Sequence, residues 1–133
     1  MSITADTNLL VRALTGDDPA QSRRAQVELA GASLVALPLP VLCELVWVLA
    51  RGYRLPAPDI AAAIRVLADA ANVVANRPAI AAGLAMLEAG GDFADGVIAH
   101  DGAWLGAETF VSFDRAAIAL LRAQGHAARL PGA

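Results

Sequence analysis

Residues 2–31 read SITADTNLLVRALTGDDPAQSRRAQVELAG, and this stretch sets the pattern that the rest of the chain repeats. Ser2 to Asp6 predicts a short strand, and Asn8 to Leu14 a helix that ends at Gly16. Asp18 then stands as an N-cap with Pro19 at the first helical position, where a fixed φ and a missing N–H do no harm. That second helix is expected to stop at Gly31. Working outward, the same strand-helix-helix unit returns as Ser33 to Leu37, Pro40 to Gly52 and Asp59 to Ala71. It returns again as Asn72 to Ala75, Pro78 to Gly90, and Phe93 to Leu105. A strand over Thr109 to Phe113, a helix over Ala116 to Gln124 and an edge strand over Ala127 to Leu130 complete the order. Strands separated by helices predict an α/β fold with a short, mostly parallel central sheet and helices on both faces. In such folds ligands bind beyond the carboxyl ends of the strands.

The bulk composition narrows the function. A length of 133 residues predicts one domain, 1–133, and 57% apolar against 17% charged residues supplies ample core. The formal net charge of −3 gives no overall basic field, so any contact with nucleic acid must be local. All ten cations are arginine, which excludes a P-loop lysine, a Schiff-base lysine and a lysine general base. Arg23, Arg24, Arg51 and Arg54 read as a solvated helix face and loop, and Trp47 and Trp104 as core or interface residues. Cys43 is the single cysteine and can close no intrachain disulfide; with no secretion signal in Met1 to Asp6, a cytoplasmic location is expected. Leu29 to Ala50 carries one charge, Glu44, but Pro38 and Pro40 break it into pieces too short for a span of about 20 residues, so no membrane association is expected.

The carboxylates fall where a site would. Asp6 and Asp114 each end a predicted strand, although either could serve as a turn or cap residue. Glu44 interrupts a helix that is apolar on every side, and burial there would demand a partner, an arginine such as Arg12 or a metal. Asp92 and Asp95 lie three apart at the start of a helix, about 60° apart around its axis, and can face one point, while Asp101 turns away. Asp92 could equally be the N-cap. Several acids gathered at one sheet edge repel one another unless a divalent cation sits among them, and hard oxygen donors favour magnesium or manganese over zinc.

Four motifs carry a family resemblance: ADTNLLVRALTGDDPAQSRRA at the start, CELVWVL on the apolar helix, DFADGVIAH, and FVSFDR before the last helix. In order and spacing they resemble the PIN-domain ribonucleases, and within these the VapC toxins of bacterial toxin-antitoxin modules. The resemblance spans the chain and implies a three-layer PIN-like fold. It implies that Asp6, Glu44, Asp95 and Asp114 are the catalytic acids, that Asp92 joins Asp6, Asp95 and Asp114 as a metal ligand, and that Asn8 and Ser112 line the site. Arg12 and Arg115 are placed to contact the RNA backbone. Implied with these are Mg2+, or Mn2+ in its stead, an RNA substrate, products ending in 5′-phosphate and 3′-hydroxyl, a small VapB-type antitoxin and a homodimer. The departures are Ser112 where threonine is common, and Gly96 and Gly102 in a helix where alanine would be about 1 kcal/mol better.

Two other readings stand beside it. A haloacid dehalogenase-type magnesium phosphohydrolase would also place a nucleophilic aspartate after the first strand, but it needs a second acid where Asn8 stands, and a lysine that the chain lacks. A catalytically idle PIN domain serving as a protein-binding scaffold would not need the acid set.

Overall fold

In the computed structural model every expected element forms, in the expected order: β1 (Ser2–Thr4), α1 (Thr7–Leu14), α2 (Pro19–Gly31), β2 (Leu34–Leu37), α3 (Leu39–Arg51), α4 (Ala57–Asp69), β3 (Val73–Ala75), α5 (Arg77–Glu88), α6 (Phe93–Trp104), β4 (Phe110–Val111), α7 (Arg115–Ala123) and β5 (Ala128–Arg129). The structure describes residues 1–132; Ala133, the last residue of the expected domain, lies outside the described residues. The chain divides into two compact units, Met1–Asn76 and the residues from Arg77 onward.

In the first unit, β1, β2 and β3 form a parallel sheet in that order, with Ile3 in register with Val35 and Val35 with Val73. Parallel neighbours require crossovers, which α1 with α2 and α3 with α4 provide. β2 alternates in burial, Val35 and Leu37 being enclosed, so its core row is read at period two. On α3 the enclosed residues are Leu42, Leu45, Val46 and Leu49, a stripe at helical spacing. At 13 residues α3 is about 20 Å long, and among the described residues no helix is long and apolar enough to cross a membrane.

The second unit is organised by α5 against α6 and by a core of Met86, Ala117, Ile118, Leu121 and Ala128 that joins α5, α7 and β5. β4 and β5 pair in parallel, Phe110 with Ala128 and Val111 with Arg129. Phe93 opens α6 and is fully enclosed, packed where α5 has Gly83: a Cβ there would stand 2.6 Å from the Phe93 ring.

Of the two places expected for Trp47 and Trp104, core or interface, the core is excluded, since they are 59% and 80% exposed. One expectation is corrected. Gly96 is not a weak point in α6: a Cβ on it would overlap the backbone carbonyl of Ala82, so only glycine lets the two helices approach so closely. At Gly102 an added Cβ meets nothing within 4 Å, and there the expectation stands.

Candidate functional site

Three of the candidate acids belong to the second unit. Asp92 is the N-cap of α6, its Oδ1 accepting the amide of Ala94 at 3.0 Å. Asp114 is the N-cap of α7, its Oδ1 accepting the amide of Ala117 at 3.0 Å, while its own amide donates to Ser112 Oγ at 3.0 Å. Ser112 therefore holds the turn that aims Asp114. The strand before it stops at Val111 because Ser112 and Asp114 turn the backbone into the helix. Both caps satisfy otherwise orphaned helix amides through one oxygen, which leaves Oδ2 of each for a ligand.

Asp95 is different. It occupies the first turn of α6, is only partly exposed, and accepts no hydrogen bond among the described residues. Partial burial raises its carboxyl above the ordinary value of 3.8, and the nearby charges of Asp92 and then Asp114 raise it further. The positive end of the α6 dipole, which favours an anion, does not offset them. A carboxylate partly desolvated, without a hydrogen bond and raised by two neighbouring carboxylates is an arrangement that a cation would relieve.

The remaining candidates belong to the first unit. Asp6 stands two residues past the end of β1 and caps α1, its Oδ1 accepting the amide of Leu9 at 2.8 Å. It lines a cleft of about 590 Å³ between α1 and α2, with Asn8, Leu9 and Arg12 on one side and Gln21, Arg23, Arg24 and Glu28 on the other. Asn8 and Arg12, four apart, share a face of α1. Glu44 does not line this cleft. It is exposed on α3, which corrects the expectation of a buried carboxylate seeking a partner. The stripe Leu42, Leu45, Val46 and Leu49 turns Glu44 and Trp47 outward, and apolarity all round the helix had hidden which side that stripe would occupy.

Nor does Arg12 pair with Glu44. Its Nη1 meets Asp17 Oδ1 at 3.4 Å, and its Nε is buried with no hydrogen-bond partner. Asp17 also accepts Tyr53 OH at 2.7 Å on Oδ2 and Thr15 Oγ1 at 2.8 Å on Oδ1. The Tyr53 and Thr15 hydroxyls, in that order, and then the Arg12 charge hold its carboxyl below the ordinary value against the opposing effect of desolvation. The Asp17–Tyr53 link spans 36 residues, and no sequence motif announces it. Arg115 is exposed and lines a small hollow on α7 with Ile118, Ala119, Arg122 and Leu130. Sequence reasoning missed Arg23 and Arg24, which line the Asp6 cleft. Their signal was the thin apolar stripe of α2, which encloses only Ser22 and Ala25 and leaves other faces free for function.

The family model described as PIN domain matches residues 3–122, nearly the whole chain. The chain belongs to the PIN domain family. PIN domains are typically nucleases, generally use divalent metals, and suggest interaction with nucleic acid. No curated protein gives a significant match. Among the described residues, no three His, Cys, Asp or Glu side chains form a group able to hold a metal ion. The donor chemistry of this PIN domain nonetheless fits a hard divalent cation: oxygen donors, two of them with an oxygen left over from capping, and Asp95 in an environment that penalises its charge.

Proposed function

We propose that this PIN domain, acting as one domain over the whole chain, is a metal-dependent endoribonuclease and the toxin of a VapC-type toxin-antitoxin pair. The observation that carries the reading is Asp95, partly buried, without a hydrogen bond, and raised by Asp92 and Asp114. Asp6, Asp95 and Asp114, with Asp92, are the residues that would hold Mg2+ or Mn2+. A divalent cation held there supplies positive charge to the attacking and leaving oxygens of phosphodiester displacement.

The chain's own groups divide the remaining work. Asp6 and Asp114 are fixed by their caps, so their free oxygens are oriented before any ligand arrives. Glu44, exposed on α3, would hold the cation or orient the attacking water. Asn8 and Ser112 offer polar atoms to the substrate, and Arg12 and Arg115 offer guanidinium groups to its phosphates. Water as nucleophile leaves a 5′-phosphate and a 3′-hydroxyl.

Exposed Ile98, Trp104, Leu105 and Phe113 in the second unit support a homodimer or a protein partner such as a small VapB-type antitoxin. A cytoplasmic location suits an RNA substrate.

The test is expression in a bacterial host. Wild type is expected to arrest growth, Asp95→Asn and Glu44→Gln to be harmless at equal expression, and Asp101→Asn to remain toxic. Mapping 5′ ends of cellular RNA shortly after induction is expected to show new phosphorylated ends. Unchanged toxicity of both Asp95→Asn and Glu44→Gln would refute the assignment.

A further inference from the structure

The α1–α2 cleft places Arg12, Arg23 and Arg24 against only Asp6 and Glu28, in a chain whose formal net charge is −3. Among the described residues Arg23 and Arg24 are exposed and make neither ion pair nor hydrogen bond, although Glu28 lies one turn beyond Arg24 on the same helix. Arg12 is anchored by Asp17 through Nη1, while its buried Nε has an N–H with nothing to donate to. Three guanidinium groups around one hollow repel each other, and an arrangement with so few compensating anions favours an anionic ligand.

We propose that the α1–α2 cleft binds the sugar-phosphate backbone of a single strand of RNA, with Arg23 and Arg24 each engaging a phosphate beside Arg12. The guanidinium fork matches phosphate geometry. Single-stranded nucleic acid is held by positively charged grooves of this kind, which track its backbone. Asn8 and Gln21 add amide groups able to meet ribose hydroxyls or base edges, and Leu9 and Val27 add apolar surface for the sugars and bases. The choice of RNA as the ligand rests on the nuclease reading above; the choice of cleft does not.

Binding measured by fluorescence anisotropy, with a labelled single-stranded oligouridine in EDTA at several salt concentrations, tests the proposal. The double variant Arg23→Gln/Arg24→Gln is expected to bind about tenfold or more weakly, and its dependence of log K on log salt to flatten by roughly 1.4, at about 0.7 per phosphate contact on a single strand. Arg23→Lys/Arg24→Lys keeps the charge and is expected to keep the wild-type slope, which separates lost contacts from a damaged helix. Arg51→Gln/Arg54→Gln, whose arginines do not line the cleft, is expected to change neither quantity.

An unchanged slope in the Arg23/Arg24 glutamine variant, an equal loss in the Arg51/Arg54 variant, or no binding by the wild type would overturn it. So would hexaglutamate displacing the RNA at lower concentration than unlabelled oligouridine, since the cleft would then be a site for acidic peptides. Slope changes at Arg23 and Arg24 without magnesium-dependent cleavage would uphold the cleft and refute the nuclease. Cleavage that needs Asp95 with a slope indifferent to Arg23 and Arg24 would do the reverse.

Discussion

Gly96 on α6 meets the backbone of Ala82 on α5 so closely that a Cβ on the glycine would overlap the Ala82 carbonyl oxygen. The atom in the way is backbone, which cannot rotate aside. This approach sets α6 on α5 and with it the first turn from which Asp95 projects.

Gly96→Ala is therefore expected to destabilise by about 1 to 3 kcal/mol, the cost of overpacking, despite alanine's better helix propensity. Gly102→Ala, six residues along the same helix with open space around it, is expected to stabilise by up to about 1 kcal/mol. Urea denaturation midpoints of the two variants should move in opposite directions.

Asp6 and Asp114 each combine a structural hydrogen bond with a proposed ligand oxygen. Asparagine can keep the cap; alanine cannot. Asp6→Asn and Asp114→Asn are expected to melt near the wild-type temperature yet lose RNA cleavage, whereas each alanine variant should also lose about 0.5 to 2 kcal/mol of stability. Paired melting and cleavage measurements on the four variants separate the two roles.

The raised carboxyl of Asp95 makes the native state bind more protons than the unfolded chain does. Its contribution is fully present below the ordinary value of 3.8 and is lost as pH rises through the raised native value. Asp95→Asn abolishes this loss. In EDTA the variant is expected to be more stable than wild type at pH 7, and the difference to shrink as pH falls toward 3.8, read from denaturation at several pH values.

Magnesium should act in the opposite sense. A cation that binds the native state stabilises it by RT ln(1 + [L]/Kd), so the tighter site gains more, and millimolar magnesium is expected to raise the melting temperature of the wild type more than that of Asp95→Asn. Equal responses would mean that Asp95 is not a ligand.

Much of this was written in the sequence because local rules carried it. Asp18 before Pro19, Gly31 closing α2, the glycines after α5, and the alternation of strands with helices placed every element to within a few residues. Asp6, Asp92 and Asp114 proved to be caps, and the cap and ligand readings, weighed as alternatives, are compatible because a carboxylate has two oxygens. Other features depended on tertiary contacts. The exposed side of α3, and with it Glu44, was set by which stripe met the core. The need for Gly96 came from a neighbour fourteen residues earlier, and Arg23 and Arg24 gained a cleft only when α1 packed beside α2.

The central claim is that these carboxylates hold a divalent cation for cleaving RNA, and cleavage itself tests it most directly. Purified wild type and Asp95→Asn are incubated with bulk RNA, each in EDTA and in millimolar magnesium, and the ends of any new fragments are identified. Fragments with 5′-phosphate and 3′-hydroxyl from the wild type in magnesium alone, and none from Asp95→Asn, are the predicted result. Equal cleavage by both proteins in EDTA, or fragments ending in 2′,3′-cyclic phosphate, would contradict it.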